Sequence, residues 1–276
     1  MTERIAKCFE QLKAKNRAGF IPFVTAGDPG FESSLDVMKV LPELGADIIE
    51  LGMPFSDPMA DGPAIQKANL RALKSGITMR TILDLVSSFR KVNDTTPVIL
   101  MGYYNPVYSY GVKSFLRNCS DAGVDGLIIV DLPPEHDDEL CLYTKDFGLD
   151  FVRLIAPTTG DKRLPRLLDG ARGFVYYISI TGITGTQDAP TNTIENSIAH
   201  LRQYTSLPIA VGFGVKTLKQ AAAVSMHGDA TVIGSIIVDK IASMSSGPKI
   251  EKQEFNKLKT FIRALAESVH NARVTR

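Results

Sequence analysis

Short, near-continuous apolar runs rich in β-branched residues recur along the chain at 20–25, 47–51, 97–102, 125–131, 151–156, 174–179, 208–212 and 230–234. Runs of this kind, without strict alternation, predict parallel strands covered on both faces. Amphipathic stretches lie between them. Thr78 precedes Met79, Ile82, Leu83, Val86 and Phe89 at helical spacing, and Val112, Phe115, Leu116 and Cys119 repeat it. At the front of the chain Ile5, Cys8, Phe9 and Leu12 predict one further helix. Gly45, Gly123 and Gly148 each stand two residues before an Asp that opens the next run, the expected stop between helix and strand.

Eight strands alternating with helices predict an α/β protein, a single (β/α)8 barrel over residues 1–276. No Gly-x-Gly-x-x-Gly follows the first strand, which disfavours a dinucleotide-binding sheet. The two longest spacings between strands follow the second and the sixth. The first contains a polar loop and an extra helix, the second a Gly- and Thr-rich segment. Both follow a strand's C-terminal end, where barrel enzymes build their sites.

Composition narrows the function. With 31 Lys+Arg against 30 Asp+Glu the net charge is +1, which argues against a nucleic-acid binder. No apolar run reaches the ~18 residues of a membrane span, and the first residues lack a signal peptide's apolar stretch, so a cytoplasmic protein is expected. Cys8, Cys119 and Cys141 form no CxxC, which predicts neither disulfides nor a zinc site. No predicted strand holds a Lys for a Schiff base, and His136, His200, His227 and His270 fall outside the strand ends. No metal is expected.

What remains is carboxylate chemistry. Alternation along the second strand puts Ile48 and Glu50 on one face and Ile49 and Leu51 on the other. A Glu facing a barrel mouth is desolvated, which raises its pKa toward a range useful for proton transfer; an internal ion pair is the bland alternative. Asp61 is the second candidate, although Asp before Gly is ordinary turn chemistry and could cap the helix that starts near Pro63. Two carboxylates in different environments can divide acid and base duties. Gly212-Phe213-Gly214 and Gly234-Ser235, after the seventh and eighth strands, fit a phosphate site; the helices there are expected from about Lys216 and Ile236. Within 179–192, Thr181-Gly182-Ile183-Thr184-Gly185 reads as a closing loop, and Tyr176 as a pocket wall or a core residue.

The segments PFVTAGDP from Pro22, ELGMPFSDPMADGP from Glu50 and TGITG from Thr181 resemble the tryptophan synthase alpha chain family. The resemblance implies a barrel that cleaves indole-3-glycerol phosphate to indole and glyceraldehyde 3-phosphate. The family's catalytic Glu and Asp fall on Glu50 and Asp61, and its phosphate-binding positions on Gly185, Gly214, Gly234 and Ser235. Phe23, Tyr176, Thr184 and Phe213 match positions around the indole and the closing loop. The resemblance also implies an alpha2beta2 heterotetramer. Its beta chain carries pyridoxal phosphate and receives the indole, while this chain needs no cofactor. The rim at Asp57 and Pro58, with Tyr103-Tyr104-Asn105-Pro106, is the expected docking surface. A stand-alone lyase and a non-catalytic activating subunit are the alternatives. Three positions depart from the family's pattern: Pro42 should shorten its helix, Arg153 in a strand needs a carboxylate, and Ala230 replaces a common Gly.

Overall fold

The computed structural model describes residues 2–179, 191–212 and 214–273, with the side chains of 191–193 left aside. Its main sheet is parallel, from β1 (Gly19–Thr25), β2 (Ile49–Gly52), β3 (Val98–Gly102), β4 (Gly126–Ile129), β5 (Asp150–Phe151), β6 (Arg153–Ile155), β7 (Val175–Ile178), β8 (Ile209–Gly212) and β9 (Ala230–Ile233). The order is β5-β4-β3-β2-β1-β9-β8-β7-β6. The two end strands are halves of one run divided at Val152, whose amide bonds Leu127 O at 2.9 Å, so the sheet curls into a barrel. All eight expected runs are present, the fifth as two halves.

Side-chain alternation divides the apolar residues into an inner and an outer layer. Ile21, Ile48, Ile99, Ile128, Val152, Phe174, Ala210 and Val232 fill the barrel interior, and Ile5, Phe9 and Leu12 of the N-terminal helix Glu3–Ala14 plug its lower end. Phe9 meets Phe174 with ring centroids 5.7 Å apart. Ala230, the departure noted above, is fully buried in this layer. Ile49, Leu51, Leu100 and Leu127 face outward, against helices such as Met79–Arg90 and Val112–Ala122. The first of these starts as the sequence predicts: the Thr78 hydroxyl accepts from Thr81 N, and the Thr81 hydroxyl accepts from Thr78 N. Pro42 acts as expected, because the helix Phe31–Val40 gives way to a short 3-10 turn, Pro42–Leu44. The extra helix after β2 is Pro63–Lys74.

At the N-terminal ends of the strands one arrangement recurs. Asp47 accepts from Phe20 N (2.8 Å), Asp125 from Val98 N (2.8 Å) and Asp229 from Ile209 N (2.7 Å). Each aspartate thus latches an amide at the start of the preceding strand and takes cations as well: Arg17 and His270 on Asp47, Arg4 and Arg90 on Asp125, Arg202 on Asp229. Asp150, at the start of β5, accepts from Thr2 N (2.6 Å) and pairs with Arg172. Gly45 and Gly123 reach these aspartates through left-handed turns with φ of 104° and 85°, which other residues adopt at a cost.

Arg153 is 3% exposed and finds the carboxylate it needs in Asp137, with its guanidinium 4.6 Å from the centre of the Phe151 ring. Among the described residues no helix is long and apolar enough to cross a membrane.

Candidate active site

A cavity of about 590 Å³ opens at the C-terminal ends of the strands, a size suited to a small metabolite. Of the sequence-predicted site residues, Phe23, Glu50, Asp61, Tyr176, Gly214, Gly234 and Ser235 all line it. Thr184, Gly185 and Phe213, with the closing loop 181–185, lie outside the described residues.

Glu50 is placed by the barrel itself. In the register of the sheet it sits level with Phe23 on β1 and Ile99 on β3, on the inward face above Ile48. It is 1% exposed, and neither carboxyl oxygen has a hydrogen-bond partner among the described residues. Burial, and after it the charge of Asp61, push this carboxyl up to about 8. At neutral pH the site therefore holds a protonated Glu whose proton has no partner among the described residues.

Asp61 is arranged differently. It does not cap the helix after it: Gly62 is the cap position, with no side-chain bond, and the Asp61 carboxylate instead accepts from Asn69 Nδ2 at 3.0 Å. Burial raises its pKa, while hydrogen bonds from Asn69 and Tyr103 pull the other way. The pair thus combines an isolated acid with a carboxylate held by two neutral donors, the kind of contrast that separates acid and base roles.

Two aromatic rings frame the cavity, and glycines make room for them. A Cβ on Gly212 would lie 2.2 Å from Tyr176 Cε1, and one on Gly52 would lie 2.5 Å from Phe23 Cζ. Tyr176 is on β7, half-buried, and burial followed by the charge of Glu50 raises its phenol well above the usual value. Met101, Ile129 and Ile65 complete an apolar wall.

The two glycine segments differ. Ser235 is the first residue of the helix Ser235–Met244, one position earlier than expected, and Gly234 before it offers no side-chain cap. The leading amides of this helix therefore face the cavity mouth with the Ser235 hydroxyl, a ready anion site. After β8 the next helix starts only at Leu218, and the Thr217 hydroxyl already caps it. Gly214 lines the cavity but does not head a helix.

At the rim, Asp57 is exposed and Pro58 partly so, beside Met59 at 85% exposure and Leu70 at 61%. Of the Tyr103-to-Pro106 segment, Asn105 is exposed and Tyr104 and Pro106 are partly so. Tyr103 is 3% exposed and precedes a helix, Tyr104–Tyr110. Asn69 has no place in the sequence reading, and Tyr103, expected there only at the docking rim, stands beside Asp61. A polar Asn between Ala68 and Ala72 on a buried helix face was the one available signal.

Taken together, an inward pair of carboxyl groups above a filled barrel core, with a helix N-terminus at the same cavity, places the chain among (β/α)8-barrel proteins arranged for acid–base chemistry. Comparison with known proteins agrees. Residues 9–270 match the family described as the tryptophan synthase alpha chain. Tryptophan synthase subunit alpha from Legionella pneumophila is 36% identical, with 98% of each chain covered and a TM-score of 0.89. A tryptophan synthase structure from M. tuberculosis is 30% identical, covers 98% of this chain and 99% of its own, and has a TM-score of 0.85. The chain belongs to the tryptophan synthase alpha chain family, and its role is that of the alpha subunit, in tryptophan biosynthesis.

Proposed function

We propose that the chain cleaves indole-3-glycerol phosphate to indole and glyceraldehyde 3-phosphate, with Glu50 and Asp61 as its catalytic residues. The observation that carries this reading is the buried carboxyl of Glu50, without a hydrogen-bond partner among the described residues and pushed up to about 8 beside Asp61 in an apolar cavity. Carbon–carbon cleavage needs indole C3 to leave with the bonding electrons, which is unfavourable until that carbon is protonated. Glu50, protonated at neutral pH, delivers a proton to C3. Its carboxylate then takes the proton of the adjacent side-chain hydroxyl as the bond breaks, so an aldehyde forms and Glu50 regains its acid form. Asp61 accepts the indole N–H and stabilises the positive charge that protonation of C3 places on the ring.

The substrate is oriented by its two ends. Phe23, Tyr176, Met101 and Ile129 hold the indole, and Gly234, Ser235 and the helix amides hold the phosphate, with Gly214 alongside. Phe213, Thr184 and Gly185 join this set by family resemblance. Asp57 and Pro58, in the apolar rim with Met59 and Leu70, form the docking surface for a beta chain that carries pyridoxal phosphate and takes up the indole. This chain itself uses no cofactor and works in the cytoplasm.

The test is indole release from indole-3-glycerol phosphate by the purified chain, alone and with a beta chain. Slow release that rises on adding the beta chain is expected, with Glu50→Gln and Asp61→Asn each lowering it more than ~10²-fold in folded protein. Near-normal turnover in either variant removes that residue from the mechanism. Fast release that ignores the beta chain identifies a stand-alone lyase instead.

A further inference from the structure

Asp61 stands on an exposed connection between β2 and the helix Pro63–Lys74, where its amide bonds Pro58 O at 3.0 Å, its carbonyl accepts from Gln66 Nε2 at 2.8 Å and its carboxylate accepts from Asn69, all within the connection and its helix. Met59 and Ala60 before it are exposed, and nothing lies within 4 Å of where a Gly62 Cβ would be. None of these contacts ties Asp61 to the sheet, and a carboxylate that must meet one substrate N–H gains from such a tie. The firm element nearby is Tyr103, the residue after β3, which is 3% exposed and so moves with the sheet. Its hydroxyl accepts from Ala60 N at 2.9 Å, fixing the peptide next to Asp61, and its ring packs against Phe55 at 5.3 Å. A phenol oxygen that accepts one N–H still has its own proton to give, and a buried phenol seeks an acceptor for it. The Asp61 carboxylate, on the residue after Ala60, is the charged acceptor beside it, close enough to act on the phenol electrostatically. Tyr103 does not line the cavity, so it acts behind Asp61 rather than on substrate.

We propose that Tyr103 is a positioning residue for Asp61, its hydroxyl tying the Ala60 amide and the Asp61 carboxylate to the end of β3. The proposal deepens the reading of Asp61 given above and rests on it for its kinetic consequence. Structurally, the hydroxyl bridges a rigid strand end to an exposed loop and orients the carboxylate toward the cavity. Electrostatically, the donated hydrogen bond favours the ionised form of Asp61, the form that can accept an indole N–H, as the bond from Asn69 does.

Tyr103→Phe keeps the ring against Phe55 and removes only the hydroxyl. The first readout does not depend on turnover. The ¹³C shift of the Asp61 carboxyl is titrated in wild type and variant, with Asp61→Asn to assign the signal, and the midpoint is expected to rise by about one pH unit. The second readout is indole release against pH, where the acid limb should move upward by the same interval. At neutral pH kcat should fall about tenfold with KM within about twofold. Should Tyr103→Phe fail to fold, 3-fluorotyrosine at position 103 keeps the shape, donates more strongly, and should move the Asp61 midpoint down. An unchanged Asp61 midpoint in either folded protein overturns the proposal, as does a rate loss uniform across pH. Absence of indole release from wild type would overturn the substrate reading alone, since the carboxyl titration decides the role of Tyr103 by itself.

Discussion

At the lower end of the barrel Asp125, 2% exposed, receives Arg90 at 2.7 Å, Arg4 at 3.0 Å and the amide of Val98. At the upper end Glu50, 1% exposed, receives no hydrogen bond from any described residue, and Asp61 is held by neutral donors. Desolvation acts on both ends in the same direction, raising the carboxyl pKa. At Asp125 the arginines oppose it, whereas at Glu50 no described residue does and the neighbouring Asp61 adds to it. One scaffold thereby keeps structural and reactive carboxylates apart. A buried acid surrounded by cations and amides is a joint, and one left alone in an apolar cavity is a proton donor.

The largest effect should come from breaking a joint. Asp125→Ala leaves Arg90 buried without its partner and the Val98 amide without an acceptor, so a loss of about 3–5 kcal/mol is expected in urea unfolding. Protein that remains folded at low temperature should still release indole, because the mouth is untouched. A loss below 1 kcal/mol would mean that the lower carboxylates are ornamental to the fold.

An effect of comparable size and opposite sign is expected from Glu50 toward pH 8. Its folded pKa is raised from about 4.5 to about 8, so between these values the folded state holds a proton that the unfolded state has released. Its cost is absent below about pH 4.5 and grows as the pH rises toward 8, so this group makes the protein less stable across that window. Glu50→Gln should abolish the group's share of the slope and leave the variant more stable than wild type at pH 8. Equal slopes in the two proteins would place a hidden cation near Glu50. The same pKa predicts that indole release by wild type declines as the pH passes about 8, where Glu50 loses the proton it must deliver.

The smallest effect should come from Arg4→Ala. Arg4 is a third exposed, and Arg90 remains on Asp125, so the loss should be at most about 1 kcal/mol. A loss as large as that of Asp125→Ala would show that the joint is carried by its surface member.

Much of this was legible in the sequence, for identifiable reasons. Alternation alone placed Ile48 and Glu50 inward, because a strand has one periodicity and both residues share it. The strand ends carrying Gly234 and Ser235 were legible because apolar runs mark strands wherever they occur. Asn69 and Tyr103 were not, since their meaning depends on a loop folding back across β2 and β3, and turn propensity offered Asp61 the rival role of a helix cap. The latching aspartates were half legible. Gly45-Ala46-Asp47 and Gly123-Val124-Asp125 announce a helix stop, but that the Asp reaches sideways to Phe20 or Val98 follows only from the parallel register of neighbouring strands. Arg153 posed the right question, and Asp137 answered it from a segment without periodicity.

Those latches also bear on how the chain tolerates being cut. Asp47 to Phe20 and Asp125 to Val98 each span 27 residues, and Asp229 to Ile209 spans 20. Each closes a short loop within one strand–helix–strand repeat, at a small entropic cost. Thr2 to Asp150 spans 148 residues and His270 to Asp47 spans 223, so the two terminal helices act as long-range ties across units already closed. A nick in any one connection thus opens at most one short loop, while trimming either end of the chain releases contacts on the far side of the barrel.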